Sequence, residues 1–276
     1  MIIIKLKGGL GNQLFCYAFG LAISERKNDK VFFDISDFNF GRDSKEYDLK
    51  NIGLEINIKH YSLLKNSWNR LWKKIDRKFK LNRFFQESIY GFDAKSFSCD
   101  RCFYYDGYWH SPKYFYNQKN KLNENLNHGN KLIENSVYLN EIKSNTTLCV
   151  HIRRGDYITN KEAAARLYVQ TKEYYDEAIS FVKAKKDVKI FYFTDDPEWV
   201  KNELLDIHFG VVVEGNKGYV DFLLMRCCDD FVISNSTFSW WPAWLSENPD
   251  KIMIAPRLWF KDRSDMPLLD SSWRLV

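Results

Sequence analysis

The sequence predicts an α/β fold with parallel sheets, and three stretches of chain carry that prediction. Each repeats one grammar: a short apolar strand, a turn of small or polar residues, then a helical segment. The first has a strand at residues 2–6, the turn Gly8-Gly-Leu-Gly-Asn-Gln13 and a helix at 14–25. The second has a strand at 147–152, the turn Arg153-Arg-Gly-Asp156 and, further on, the amphipathic stretch 171–183. In the third, a strand at 230–234 leads through Asn235-Ser-Thr237 into a helix at 238–245. Strands alternating with helices imply βαβ units and hence parallel pairing. Ligands of such sheets bind beyond the carboxyl ends of the strands, where all three turns fall.

The remaining elements follow the same logic. Residues 188–193 read as a strand running into Thr194-Asp-Asp-Pro197. A helix over 197–205 follows, because proline is well tolerated in a first helical turn. Residues 211–214 and 251–255 supply two more short strands. The region 54–145 reads differently, being rich in Lys, Asn and aromatic residues, and a boundary is placed near Asn140. The predicted domains are 1–140 and 141–276, with the option that the last segment packs back on the first. The basic run Arg70-Leu-Trp-Lys-Lys-Ile-Asp-Arg-Lys-Phe-Lys80 reads as a solvated helix face. Its alternative is a peripheral foothold on anionic membrane headgroups, each basic residue contributing roughly 1 kcal/mol. No nucleic-acid motif accompanies it, so no nucleic-acid partner is expected.

With 45% hydrophobic and 28% charged residues, the 276-residue chain has the composition of a globular protein able to bury a large core. A net charge of +5 suits a polyanionic ligand. Cys16, Cys149 and the pair Cys227-Cys228 sit in apolar runs, where cysteine acts as a small hydrophobe. Cys99 and Cys102 form a lone CxxC without a second pair or a nearby His, which disfavours a structural zinc site and leaves a local disulfide open. The chain starts directly as a strand, with no signal-peptide layout and no apolar segment near 18 residues. A reducing cytoplasm is therefore expected, and that setting argues against disulfides.

The turns carry the chemistry. In His151-Ile-Arg-Arg-Gly-Asp156, two adjacent arginines after a buried strand need an anion to meet them. Guanidinium offers a fixed fork of donors that grips phosphate oxygens in pairs. Asp156 can orient one arginine or cap the following backbone, and a structural Arg–Asp pair is the competing reading. Ser234-Asn-Ser-Thr237 sits where hydroxyls and helix N–H groups converge, an arrangement that binds anions and also caps helices. Asp195 and Asp196 place paired carboxylates at a strand end, suited to guanine's adjacent N–H groups or to capping. Gly9 and Gly11 allow close backbone approach to a ligand, and the carboxamides of Asn12 and Gln13 suit sugar hydroxyls. The glycines fit neither the dinucleotide nor the P-loop pattern. No Asp-x-Asp occurs, so arginines and helix amides stand where a metal would otherwise carry charge.

Gly8-Gly-Leu-Gly-Asn-Gln-Leu-Phe15, His151-Ile-Arg-Arg-Gly-Asp-Tyr157, Phe193-Thr-Asp-Asp196 and Ile233-Ser-Asn-Ser-Thr-Phe-Ser-Trp-Trp241 together resemble the α-1,2-fucosyltransferases of glycosyltransferase family 11. Gly107-Tyr-Trp-His-Ser111 also resembles a Gly-Tyr-Trp-Gln-Ser segment of bacterial members, with His110 in place of Gln. Cys16 stands where Gln is usual. The resemblance implies a GT-B fold of two Rossmann-like domains with parallel sheets facing a cleft. It implies GDP-β-L-fucose as donor, the 2-hydroxyl of a terminal galactose as acceptor, inversion at the fucose anomeric carbon, and no metal or other cofactor. The acceptor would be an oligosaccharide or lipid-linked glycan, such as an O-antigen unit built in a bacterial cytoplasm. The first domain would face the acceptor, through Tyr108, Trp109 and His110, and the second would hold GDP-fucose. Carried over by position, Arg153 would meet the β-phosphate and His151 would lie near the nucleoside. Asp195 or Asp196 would read guanine, and Ser236 with Thr237 would meet the pyrophosphate. Gly9, Gly11, Asn12, Gln13, Arg154, Asp156, Ser234 and Asn235 complete the donor set. Glu162, Asp34 and Asp106 are all candidates for the general base. Two rival readings are a transferase of the same fold with another linkage or GDP-sugar, and a non-catalytic carbohydrate-binding module.

Overall fold

The computed structural model describes residues 1–38, 47–59, 74–76, 78–79, 81–264 and 266–276. The chain divides into two compact units, Met1–His128 and Gly129–Val276. Helix Val137–Lys143 falls in the second, where Glu141 pairs with Lys189 and Tyr138 exchanges hydrogen bonds with the Glu214 backbone.

The first unit holds β1 (Ile2–Lys5), β2 (Val31–Asp34), β3 (Phe84–Gln86) and β4 (Tyr104–Asp106), in the order β2-β1-β4-β3. Every pairing is parallel. Ile2, Ile3 and Ile4 of β1 are all buried, as expected of a strand covered on both faces. The helix after it is Leu10–Lys27, starting earlier than the sequence implied. Gly9, in extended backbone, caps it and accepts from Gln13 N at 3.0 Å, so Gly11, Asn12 and Gln13 form its first turn. Gly8 has φ +68°, and a Cβ there would lie 2.6 Å from Asn12 Nδ2, so this turn demands glycine. The helix buries Leu14, Phe15, Ala18, Phe19 and Ile23. Phe19 lies flat on Trp109 at 3.8 Å between ring centroids and meets Tyr105 and Tyr114 edge-on. Such rings bury about 150–250 Å² each, which makes this stack the centre of the unit's core.

Cys99 and Cys102 are joined by a disulfide, the pairing that their spacing left open and that a reducing setting argued against. The physical reason is local: Cys102 N donates to Cys99 O in a turn that brings the two Cα atoms within 5.4 Å.

The second unit holds β5 (Thr147–Ile152), β6 (Lys189–Thr194), β7 (Gly210–Val213), β8 (Asp230–Val232), β9 (Met253–Ala255) and β10 (Arg274–Leu275). Their order is β10-β9-β8-β5-β6-β7, again all parallel. Side chains of β5 alternate between faces. Leu148, Val150 and Ile152 pack in one cluster with Tyr175, Ala178, Ile179 and Val182 of helix Lys172–Lys183. On the alternate positions, His151 meets the Phe238 ring at 5.6 Å and Phe238 meets Phe222 at 5.7 Å. Phe238 belongs to helix Thr237–Leu245, whose Trp240 and Trp241 are fully buried. Trp240 Nε1 donates to Leu268 O at 2.7 Å, so these tryptophans build the wall behind the strand ends.

Strand order matters for function here. From β5 the chain proceeds through β6 to β7 at one edge, then returns to β8 on the other side of β5. The carboxyl ends of β5 and β8 therefore flank the point where strand order reverses, the place where open α/β sheets bind ligands. The 70–80 run lies mostly outside the described residues, which include only 74–76 and 78–79 of it. Among the described residues no helix is long and apolar enough to cross a membrane.

Candidate active site

In the second unit the predicted donor residues gather at one sheet end. His151 is the penultimate residue of β5 and Ser234 follows β8, and His151 Nδ1 lies 2.8 Å from Ser234 Oγ across the reversal point. Burial and then the charge of Arg153 push the His151 imidazole down to about 3, so it is neutral.

The two arginines have different surroundings. Arg154 has a side chain 18% exposed, its Nε bonded to Asp196 at 3.1 Å and its guanidinium 4.3 Å from the Trp199 ring centre. That is a packed, structural arginine. Arg153 is twice as exposed, at 36%, and bridges Asp156 at 2.9 Å and Asp195 at 3.0 Å. Asp195 also accepts from Arg154 N at 2.8 Å, and Asp196 caps helix Pro197–Glu203 through Trp199 N. Both carboxylates expected to read guanine are thus committed to arginines or to a cap. Gly155 lets this happen, because a Cβ there would come within 3.0 Å of Asp195 Oδ2.

The Asn235-Ser-Thr237 turn separates likewise. Asn235 is inside the protein: its Nδ2 donates to Tyr168 O and Trp259 O, and its Oδ1 accepts from Gln170. It holds the loop rather than facing a ligand. Ser236 Oγ accepts from Phe238 N as the helix cap, and Thr237 opens the helix half-buried. Tyr157 donates to Asn235 O at 2.9 Å and carries Arg153 over its ring at 5.9 Å, tying the arginine turn to the helix N-terminus.

Of the three base candidates, Glu162 is exposed in the first turn of helix Lys161–Arg166. Asp34 is fully buried and accepts from Tyr104 Oη at 2.6 Å and Ser36 N at 3.0 Å. Asp106 is buried against Lys7. A hydroxyl could reach Glu162 without breaking the fold; it could not reach Asp34.

In the first unit the glycine turn meets the 107–111 segment. Asn12 Oδ1 lies 3.0 Å from His110 Nε2, so the imidazole donates there. Burial holds His110 down at about 3, hence neutral. Tyr108 is 41% exposed, stacked on His110 at 5.2 Å with Lys7 Nζ 5.2 Å from its ring centre. Gln13 is closed off, donating to Gly8 O at 2.9 Å and accepting from Asp48 N at 2.7 Å. Of the three residues expected to face the acceptor, Trp109 is fully buried on Phe19, while Tyr108 is exposed and His110 half-buried. Cys16 lies under this turn with Sγ 3.6 Å from Gly107 O, its thiol pushed up to about 12 by burial, a packing role.

Four residues escaped the sequence reading. Glu87 accepts from Tyr108 N and Trp109 N and so holds Trp109 at φ +61°. Lys7 carries Asp106 and Tyr108. Tyr157 links the two motifs. Asp221 stands in the first turn of helix Gly218–Met225, after β7, where burial raises its carboxyl to about 6 and Asn216 Nδ2 donates to it at 3.0 Å. Its charge is felt by Cys149 of β5. Each has its partner far off in sequence, Asp221 excepted, so spacing gave no signal.

The family model described as glycosyl transferase family 11 matches residues 50–266. The chain is 30% identical over 273 residues to the Escherichia coli alpha-1,2-colitosyltransferase, covering 95% of this chain and 93% of that protein. It is 29% identical to the O-antigen biosynthesis glycosyltransferase WbnK of Escherichia coli, covering 97% and 98%. Among solved structures, NodZ alpha-1,6-fucosyltransferase soaked with GDP-fucose aligns with a TM-score of 0.52 at 13% identity, covering 89% of this chain and 91% of that one. That likeness, with the two parallel sheets, identifies the GT-B fold.

Proposed function

The chain belongs to glycosyl transferase family 11, and from that premise we propose that it transfers L-fucose from GDP-β-L-fucose to the 2-hydroxyl of a terminal galactose, with inversion and without a metal. The observation that carries this reading is Arg153, a guanidinium 36% exposed and tied through Tyr157 to a helix N-terminus at the sheet's reversal point. The acceptor oxygen forms its bond to the fucose anomeric carbon while the bond from that carbon to the phosphate oxygen breaks, and GDP leaves with the electron pair. Negative charge grows on the diphosphate, and Arg153 with the helix amides at Thr237 meets it. Glu162 takes the proton of the acceptor hydroxyl. Tyr108 and His110 offer the acceptor an aromatic face.

The base reader is Asp221, since Asp195 and Asp196 are engaged elsewhere. A carboxylate accepts both N–H groups of guanine only when ionised. Burial raises Asp221 to about 6, so GDP affinity is expected to strengthen as pH rises through about 6. Calorimetric titration with GDP from pH 5 to 8 measures this, and Asp221→Asn should flatten the step. A variant with the parent's pH dependence would remove Asp221 from that role.

A second donor is supported by the 30% identity to a protein named alpha-1,2-colitosyltransferase over 95% of this chain. Colitose is L-fucose without its 3-hydroxyl. A site that hydrogen-bonds this hydroxyl rejects the deoxy sugar by about 10⁴-fold or more, whereas an apolar pocket there discriminates weakly. The test follows GDP release from each donor in EDTA, with lactose, N-acetyllactosamine or lacto-N-biose as acceptor. Acceptor-dependent release from GDP-fucose, with an α-1,2 product by NMR, is the expected result. Release from GDP-colitose alone would replace the donor and keep the linkage. Loss of activity in EDTA that returns with a divalent ion would overturn the metal-free assignment.

One smaller expectation follows from Gly155. In Gly155→Ala the added methyl displaces Asp195, which loosens Arg153, and kcat should drop by about tenfold with little change in the thermal midpoint. An unchanged kcat would mean that the Asp195 contact does not position Arg153.

A further inference from the structure

The first unit carries a cavity of about 360 Å³ that no step of the proposed reaction uses. It lies at the C-terminal end of helix Leu10–Lys27, lined among others by Glu25, Arg26, Phe92, Phe97, Tyr116 and Gln118. Its volume is within the range of small-ligand sites, about 300–1,000 Å³. The chemistry of its lining is mixed in a particular way. Phe92 and Tyr116 present open aromatic surface, 38% and 64% exposed, where burial would be expected of core rings. Glu25 bonds to Gln118, which places a carboxylate and a carboxamide side by side at the wall. Arg26 is held over the Phe97 ring at 5.1 Å, so its guanidinium donors are presented in a fixed place.

The floor is rigid. The Tyr114 hydroxyl accepts from Asp93 N at 2.7 Å and donates to Gly91 O at 3.1 Å, pinning the segment that carries Phe92. Phe92 also packs on Tyr114 at 4.9 Å. Aromatic faces beside paired carboxylate, carboxamide and guanidinium groups match a sugar, which offers C–H faces to rings and vicinal hydroxyls to planar polar groups. They do not match an acyl chain, which would leave the polar groups unpaired.

Within the same unit, ring contacts run from the proposed acceptor residues to the segment that carries Phe92. Tyr108 stacks on His110, and His110 meets Tyr90 edge-on at 5.8 Å. Tyr90 is two residues from Phe92, and Ile89 beside it is 50% exposed. Along the helix, Asn12 to Arg26 spans about 20 Å at 1.5 Å per residue, so one acceptor disaccharide does not cover both ends.

We infer that this cavity is a distal glycan subsite, which binds sugars several units away from the galactose that receives the transferred residue. The inference rests on the reading of the protein as a transferase with a glycan acceptor. It makes the enzyme a reader of acceptor length, favouring a long oligosaccharide chain over the disaccharide at its tip.

The test compares a galactose-terminated disaccharide with an oligosaccharide of five or more sugars that ends in the same disaccharide. Binding is read by saturation-transfer NMR and calorimetry without donor, and turnover is read separately with donor. The wild-type protein should bind the long glycan about tenfold more tightly, a gain of about 1.4 kcal/mol, and show a correspondingly lower KM for it. Tyr116→Ala and Arg26→Ala should remove that gain and leave KM for the disaccharide unchanged. Both side chains are exposed, so neither change threatens the fold. Equal affinity of the wild type for both glycans, or variants that weaken both alike, would overturn the subsite. Tight binding of the long glycan, lost in the variants, with no turnover of either acceptor would leave the subsite standing and overturn the reaction instead.

Discussion

Arg153→Ala is expected to lower kcat by about 10²–10³-fold at saturating donor and acceptor, while the thermal midpoint stays near that of the parent. The argument turns on when the arginine acts. A guanidinium facing a ground-state diphosphate tightens donor binding, but one facing the leaving diphosphate strengthens its contact as charge accumulates, and only that increment speeds the reaction. Arg153 is suited to the second part because Asp156 and Asp195 hold its fork on two sides while leaving it about a third exposed. Arg153→Lys should recover little, since a point charge on a flexible stem does not reproduce the paired donors. Arg154 is the internal control. Its Nε is held by Asp196 and its face by Trp199, so Arg154→Ala should act chiefly through stability and donor affinity. Steady-state kinetics for the three variants, alongside thermal melts, separate these cases. An Arg153→Ala enzyme that keeps more than about a tenth of parental kcat would remove the arginine from the leaving-group role.

That contrast between neighbours marks how far the sequence could be read. The strand-turn-helix grammar located β1, β5, β6 and β8 because apolar runs bounded by glycine or charged turns have few other solutions. Thr147–Ile152 matched residue for residue. The reading missed β2, β3, β4 and β10; of these, β3 and β4 are three-residue, mostly aromatic strands, β4 pairing with β1, a hundred residues earlier in the chain, and β3 with β4. Local pattern has no access to that. The site divides in the same manner. Motifs found the turns, and the turns are where the sheet ends place them. What a motif cannot state is which member of the turn faces outward. Arg153 and Arg154, and Tyr108 and Trp109, are adjacent pairs in which one residue is exposed and the other is used by the fold, while Asn235 and Ser236 are both buried, one holding the loop and the other capping the helix. The choice depends on partners such as Trp199, Gln170 and Phe19, supplied by other elements.

The end of the second sheet opposite the site makes the last prediction, and it separates stability from catalysis. Asp230 opens β8 with no solvent exposure, yet it is a carboxylate. It accepts from Lys186 Nζ at 2.7 and 3.0 Å and from Ile252 N at 2.6 Å, while Lys186 also donates to Asp250 O. One side chain therefore fastens the start of β8 to the segment entering β9 and to the turn after helix Lys172–Lys183. Removing it leaves a backbone N–H and an ammonium with unmet bonds in a closed space, a loss of about 3 kcal/mol or more. Lys186 is 26% exposed and can turn toward water, which keeps the loss near the lower end of that range. Asp230→Ala should thus shift the urea midpoint strongly downward. Asp230→Asn should fall between the two, because the amide oxygen still accepts from Ile252 N while the charge that balances Lys186 is gone. Turnover at 15 °C should be near normal in both, since the proposed nucleotide site is at the carboxyl ends of the strands and this latch at their amino ends. If kcat falls in step with stability under conditions where the protein remains folded, the two ends of the sheet are energetically coupled, and β8 transmits strain from the latch to Ser234 and through it to His151.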